Sequence, residues 1–418
     1  MPNNATNAAS RTLLIAMVIG CVLCAWFGIR WQIGTMLAER TSPAEDNAAE
    51  IAGTSIRFAP LFSGGHKLLG SIMFAPEESL ASYVDAARLS PFDIHRRIDL
   101  ARAYEQSGEL AKAESEFERA AALAPNYSAP RWHLANFLIR RGRESEALQE
   151  LRAAAFDSRR YRDQAFSLVW DIYEKDTARI EYVAGDRADA IAHAAYFFAS
   201  RGAAEASLRN WDRLGDEDKK KNEKLARGIA DGLYGQKRFI EAMAFFEQLG
   251  MAKASLNKVS DGSFESPIGN VEDARFSWEI YRNEAKVEIG ADSRVKRTGE
   301  RSLRTTFRGY SKPAFYNIAQ TVAVEPDSSY TLVFYVRAEN LQSPGLPFVE
   351  VVDLINEKAL ASSENFAAGS YEWREFRIDF QTPRNCTGIS IRTLRKFCGE
   401  ECPMSGTFWF DDMELIRR

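Results

Sequence analysis

The fold class predicted from the sequence is multidomain, α followed by all-β: an apolar N-terminal helix, a helical solenoid and a C-terminal β-sandwich. Three observations predict it. Leu13 to Ile29 is an unbroken run without a charge. Between Ile94 and Tyr127 a helix-turn-helix pattern of about 34 residues recurs on both sides. From about Ala254 onward, apolar residues alternate with polar ones at the period of strands.

At 418 residues the chain is long enough for two or three domains. A net charge of −4 over that length provides no basic footprint, so nucleic-acid binding is not expected. The expected layout is a polar tail at 1–12, an anchor at 13–31, a linker at 32–50, the solenoid at 51–253 and the sandwich at 254–418.

As a helix, Leu13 to Ile29 is about 26 Å long. That reaches across a bilayer core of roughly 30 Å if Arg30 snorkels and Trp31 sits at the interface. We read the run as a single transmembrane anchor. A cleaved signal peptide is the alternative, but Ser42-Pro43-Ala44 lies too far downstream for a cleavage site. A lipoprotein reading of Val18-Ile19-Gly20-Cys21 meets the objection that the apolar run continues past the cysteine.

In the central pattern, Leu100, Ala101 and Tyr104 share one face of a first helix, and Ala113, Phe117 and Ala120 one face of a second. Gly108 falls near the turn and Pro125 at the stop. Small residues let the helices approach while the rings fill the space beside them. The whole register resembles a tetratricopeptide repeat. Units are expected at 63–93 and, through Leu134, Ala135, Leu138, Gly142, Ala147, Leu151 and Ala154, at 128–161. Tyr161 to Arg187 is helical but off-register, and Ala194, Phe198 and Trp211, then Ile229, Leu233, Phe239 and Phe246, restart the pattern. About five units would stack into a solenoid, because none covers its apolar face alone.

The resemblance implies a concave groove lined by first-helix positions, here His95, Ile98, Arg102, Trp132, Asn136, Ile139 and Arg140. Arg102, Asn136 and Arg140 suit an extended peptide or a C-terminal carboxylate. The histidines, His66, His95, His133 and His193, have no metal or catalytic spacing. Cys21 and Cys24 lie in the apolar run, and Cys398 and Cys402 bracket a short Gly-Glu-Glu loop where a disulfide would suit an oxidising compartment. Cys386 is left over, and with no histidine after it a zinc site is not expected.

In the last third, Tyr330, Leu332, Phe334 and Val336 line one strand face, as do Phe376, Ile378 and Phe380. About nine such runs separated by turn residues mean a sandwich. The ordered set Asp261-Gly262-Ser263-Phe264-Glu265, Phe276-Ser277-Trp278, Gly299, Ser302-Leu303, Gln320, Pro326, Tyr330-Thr331-Leu332, Trp373, Thr382-Pro383 and Trp409-Phe410-Asp411-Asp412 resembles the jelly-roll carbohydrate-binding modules of families four, nine and twenty-two. That resemblance implies a structural calcium tying first and last strands together, with Asp261, Glu265, Asp411 and Asp412 as its oxygen ligands. It also implies glycan binding by rings stacked on sugar faces. Tyr281, Tyr310, Phe315 and Tyr316 are the candidate rings, and Arg308 and Arg392 could serve an acidic sugar.

The two resemblances together imply a non-catalytic adaptor in the cell membrane, single-pass, with the bulk of the chain on the periplasmic or extracellular side. Its repeats would bind a protein partner and its jelly roll a glycan, in bacterial surface polysaccharide assembly or export. A pure protein–protein scaffold is the alternative. A glycoside-processing enzyme would need a carboxylate pair in the sandwich, and no catalytic constellation is recognisable.

Overall fold

The computed structural model describes residues 3–73, 75–250, 254–266, 275–280, 286–310 and 318–418, with the side chains of residues 3–12 and of Tyr310 outside that description. The chain divides into two compact units, Met1–Gly185 and Asp186–Arg418.

The first unit is helical. A long helix α1 (Asn3–Arg40) is followed by α2 (Ala48–Phe58), α3 (Ser63–Ile72), α4 (Pro76–Leu89), α5 (Ile94–Gln106), α6 (Leu110–Leu123), α7 (Ser128–Arg140), α8 (Glu144–Ala155), α9 (Arg159–Ile172) and α10 (Thr177–Ala184). The turns follow from local chemistry. Asp93 caps α5, accepting from the backbone of His95 at 2.8 Å, which satisfies an otherwise orphaned donor. Gly108 closes the hairpin at φ +80°, a left-handed conformation open to glycine without a Cβ penalty. Between the helices Ala101, Ala113 and Ala120 are wholly buried, and the rings of Phe117 and Phe137 meet at 5.4 Å, stapling one hairpin to the next. The off-register segment forms a hairpin too, α9–α10, whose second helix is cut to eight residues by Gly185.

Two features differ from expectation. The segment read as a linker is helical through Arg40. No proline interrupts residues 30–40, and Gly34 provides the surface on which α2 packs: a Cβ there would lie 2.7 Å from that of Ala59. Ser55 Oγ donates to the Gly34 carbonyl at 2.7 Å. Only residues 41–47 connect α1 to α2 without regular structure. Ile98, read as a groove residue, is instead 4% exposed and packs in the repeat core beside Ala101 and Phe117.

The second unit begins with α11 (Ala188–Ser200), α12 (Ala204–Asp212), α13 (Asp216–Lys221), α14 (Glu223–Gly235) and α15 (Phe239–Gln248). The strands are β1 (Trp278–Ile280), β2 (Val287–Asp292), β3 (Ser302–Tyr310), β4 (Ile318–Ala323), β5 (Ser329–Gln342), β6 (Pro347–Asp353), β7 (Lys358–Ser362), β8 (Gly369–Gln381), β9 (Gly388–Arg395) and β10 (Met404–Arg417). They pair antiparallel into two five-stranded sheets, β1-β4-β9-β6-β7 and β2-β3-β10-β5-β8. Leu332, Phe334, Val336, Phe366, Phe408 and Phe410 fill the space between them with no exposure, as the alternation predicts.

The period changes near Ala254, but the helices before it belong to the same compact unit as the sandwich. The Tyr234 hydroxyl meets Thr321 Oγ1 at 2.8 Å, and Thr387 Oγ1 donates to the Lys237 carbonyl at 3.0 Å. The Tyr234 ring packs edge-on against Phe276 at 5.3 Å. A side chain at Gly388 would strike the Phe239 ring at 2.3 Å, so α15 lies directly against β9.

Candidate functional site

Three clusters come from the candidate residues, one in the repeats and two in the sandwich. In the repeats, α5 and α7 are successive first helices, and positions two turns apart on each bring His95, Arg102 and Arg140 into electrostatic range of His133. Arg102 Nη2 lies 3.1 Å from His133 Nδ1, so the neutral ring that accepts this bond carries its proton on Nε2. Arg140 is held bidentately by Glu105, at 2.7 and 2.9 Å. Asn136 turns back to its own helix, donating to the Trp132 carbonyl at 2.7 Å. The Trp132 ring packs at 5.9 Å from Tyr161, which belongs to the next hairpin.

Burial, and then the charges of Arg102, His95 and Arg140, push His133 down from 6.5 to about 4. The surroundings of this ring are therefore positive. Because the unfolded chain binds a proton there more readily, the His133 contribution to stability is present above pH 6.5 and is lost as pH falls towards 4. Thermal melts of wild type and His133→Gln should differ across that window, the variant showing the smaller loss on acidification.

The two faces of the sandwich differ in kind. On the outer face of the sheet containing β10 the charges are paired across strands. Arg304 and Arg308 both reach Glu288, at 3.1 and 2.9 Å. The Trp409 indole donates to Asp292 at 3.0 Å, and Tyr335 to Glu375 at 2.7 Å. The ladder is held by cross-strand pairs, with Trp409 buried within it. On the outer face of the other sheet, Arg392 of β9 stands directly across from Glu350 of β6 and donates to it at 2.7 Å. The pair is recessed, Glu350 being 15% exposed. Half-buried Phe348 and Leu394, one alternation away on the same strands, flank it. A charged pair beside apolar side chains on a sheet face can orient a polar ligand while burying its apolar surface.

Arg392 and Arg308 are thus on different sheets and do not form one site. Tyr281, Phe315 and Tyr316 lie outside the described residues, as does the side chain of Tyr310, the last residue of β3. Glu350 and Phe348 were missed in the sequence. Their signal was the alternation of Pro-Phe-Val-Glu-Val-Val-Asp, which puts both on one face of β6.

The third cluster joins the turn at 261–266 to β10. Asp261 accepts from the backbone of Glu265 at 2.9 Å and of Ser266 at 3.1 Å. Glu265 accepts from the backbone of Glu300 at 2.8 Å. Asp411 is fully buried and accepts from the backbone of Arg297 at 2.7 Å. Asp412 takes the Arg297 guanidinium at 2.5 Å and the Ser263 hydroxyl at 3.1 Å. The same guanidinium lies 3.5 Å over the Tyr335 ring, a favourable cation–π position. Burial raises the Asp411 carboxyl, with the neighbouring Asp412 charge acting in the same direction and the Arg297 backbone N–H against it. Each expected calcium ligand is thus engaged by N–H or O–H donors, and the positive charge at Asp412 is an arginine. Among the described residues there is no group of three or more His, Cys, Asp or Glu placed to hold a metal. Arg297 and Asp412 close this cluster as an arginine clasp.

Cys398 and Cys402 form a disulfide with Cα atoms 5.6 Å apart. The buried Arg395 donates to Cys402 Sγ at 2.7 Å and to Ser343 Oγ at 2.8 Å, pinning the β9–β10 loop against the one between β5 and β6. Cys386 is a buried free thiol pushed up to about 12 by desolvation and the nearby Asp353 carboxylate. Cys21 and Cys24 are exposed on α1.

The chain is a series of helical hairpins followed by a sandwich of two antiparallel sheets. A tetratricopeptide-repeat family model matches residues 106–168. Among solved structures, an N-terminal endo-1,4-beta-D-xylanase of Clostridium thermocellum, a carbohydrate-binding module with its catalytic module complexed with xylohexaose, is similar over 39% of this chain at 14% identity and a TM-score of 0.27. The chain spans 29% of that xylanase's length. A family 4 carbohydrate-binding module is similar over 38% of this chain and 99% of its own, at 12% identity and a TM-score of 0.29. MamA is similar over 31% of this chain and 75% of its own, at 16% identity and a TM-score of 0.27. No curated protein matches.

Proposed function

We propose that the chain is a non-catalytic adaptor held in a membrane by Leu13–Ile29, whose repeats take a protein partner and whose jelly roll takes a glycan. The observation that carries this reading is that each unit presents a face where charged groups sit beside apolar ones. In the repeats it is Arg102, His133 and Arg140 beside Trp132. In the sandwich it is the Arg392–Glu350 pair beside Phe348 and Leu394. The positive surroundings of His133 favour an acidic segment or a C-terminal carboxylate as the peptide ligand. The arginine on the sheet face favours an acidic sugar, and a surface polysaccharide under assembly or export is the setting that unites a membrane anchor, a partner site and a glycan site.

Each charge-assisted hydrogen bond to Arg102 or Arg140 is worth about 1.5–3 kcal/mol. Charge reversal of both is expected to weaken binding of an acidic C-terminal peptide by roughly a hundredfold or more, read by fluorescence anisotropy. Recovery of the same co-purifying proteins by Arg102→Glu/Arg140→Glu would remove the groove from the account. A carboxylate placed beside His133 also raises its proton affinity. Peptide binding should therefore strengthen as pH falls towards 4, and His133→Gln should abolish that slope.

One observation favours the scaffold alternative. Thr321 and Ala323, outward positions of β4, are buried under α14 and α15. The chain's own helices narrow the face available to sugar.

A further inference from the structure

Among the described residues none buries the uncharged run of α1, and Leu13, Leu14, Met17, Val22 and Phe27 are all more than 60% exposed. An apolar surface of that extent on one helix needs a cover, and the proposed cover is the bilayer. The next residues of the same helix are tied to a turn of the solenoid. Arg30 Nη2 donates to the Arg57 carbonyl at 3.0 Å, and its guanidinium lies 5.3 Å over the Phe58 ring. The Trp31 and Phe62 rings meet edge-on at 6.5 Å. Because Ser55 touches Gly34 while Arg57 touches Arg30, α2 runs antiparallel to α1 and delivers its C-terminus to the end of the uncharged run. At about 1.5 Å of rise per residue, Arg30 and Trp31 lie within about 3 Å along the axis of Ile29. In the turn joining α2 to α3, Ala59-Pro60-Leu61-Phe62, the Phe62 ring is at the level of Trp31 while Ala59 lies against Gly34, about 7.5 Å along the axis from Ile29, and Leu61 between them is 70% exposed.

We infer that the α2–α3 turn is a second membrane contact, seating Leu61 and Phe62 at the headgroup–acyl boundary with Arg30 and Arg57 facing lipid phosphates. This rests on α1 being a membrane anchor. Large apolar residues beside arginines at this depth are what an interfacial element needs. Continuity with α1 commits the turn to the bilayer rather than to a protein partner. A helix entering the membrane as a direct extension of the fold, with a turn resting on the surface beside it, fixes the first unit's orientation to the bilayer.

The test uses the full chain with Cys21→Ala and Cys24→Ala, reconstituted in phosphatidylcholine–phosphatidylglycerol vesicles. An environment-sensitive fluorophore is placed at Leu61→Cys or, as a control, at Phe92→Cys, which is 79% exposed in the turn before α5. The label at position 61 is expected to be quenched by a headgroup-level lipid nitroxide and shielded from iodide, and the label at 92 to show the reverse. If both labels behave alike while brominated acyl chains quench tryptophan fluorescence, the anchor is inserted and the turn contact is wrong. If brominated chains quench nothing, the anchor reading fails and the inference falls with it. As a second readout, Leu61→Asp should abolish the difference in iodide access between a label at Phe62→Cys and the label at 92; an unchanged difference contradicts the inference.

Discussion

Deletion of Leu13–Ile29 is expected to move the protein from the membrane pellet to the aqueous fraction. Leu13, Leu14, Ile15, Val18, Ile19, Val22, Leu23, Phe27 and Ile29 each favour the bilayer centre by roughly 0.3–0.6 kcal/mol. Together they contribute on the order of 3–5 kcal/mol, a hundredfold or more in partition. What remains after deletion is the interfacial turn with Arg30 and Arg57, whose attraction to anionic lipid is screened by salt. The truncated chain should therefore show only weak association with anionic vesicles, lost at high ionic strength, in a flotation assay. Intact mass of the membrane-bound protein separates an anchor from a leader: the full N-terminus must be retained. Flotation of the deleted chain equal to that of wild type, in high salt, would place the membrane contact elsewhere.

Arg297→Ala is expected to cost the second unit about 2–4 kcal/mol, in line with loss of one partner from a largely buried pair. The guanidinium is 34% exposed and Asp412 19%, so the cost falls below that of a fully buried pair. Its removal leaves Asp412 beside the buried Asp411 with no counter-charge. Tyr335 loses its cation as well. The raised Asp411 carboxyl gives the sign of the pH response: its folded form holds a proton more tightly than the unfolded chain, so stability from this group declines as pH rises above 3.8. Without Arg297 that decline should steepen. Because the clasp is closed by an arginine, chelators should leave the wild-type melting temperature unchanged, whereas Arg297→Ala opens the carboxylates to an added divalent cation. A wild-type transition that falls on chelation, with Arg297→Ala melting like wild type, would show that a metal and not the arginine holds the clasp.

Helix periodicity was legible because it is local. Leu100, Ala101, Ala113 and Phe117 repeat their own neighbours' spacing, and Gly108 marks its turn. The faces of β5 and β8 were legible for the same reason, since alternation is written in consecutive residues. What depended on partners was not. Ile98 is one step around the helix from a groove position, and only packing against Phe117 decides its side. Glu350 opposes Arg392 through the register of β6 against β9, which no stretch of either strand contains. Arg297 meets Asp412 across more than a hundred residues, so a cluster of carboxylates suggested a cation without saying which. The continuation of α1 through Gly34 depends on a partner too, since its missing side chain is what α2 packs against. The helices at 188–248 share the repeat pattern, yet Tyr234 and Phe239 commit them to the sandwich.

The adaptor reading rests most heavily on the sheet face that carries Arg392 and Glu350, and it is tested by glycan binding of the full chain in nanodiscs against an array of bacterial surface polysaccharides, with Arg392→Ala and Arg308→Ala alongside. The account predicts specific binding to an acidic polysaccharide, reduced at least tenfold in Arg392→Ala and unchanged in Arg308→Ala, whose arginine lies on the other sheet. Silence across the array, or binding reduced equally by the two substitutions, would contradict it.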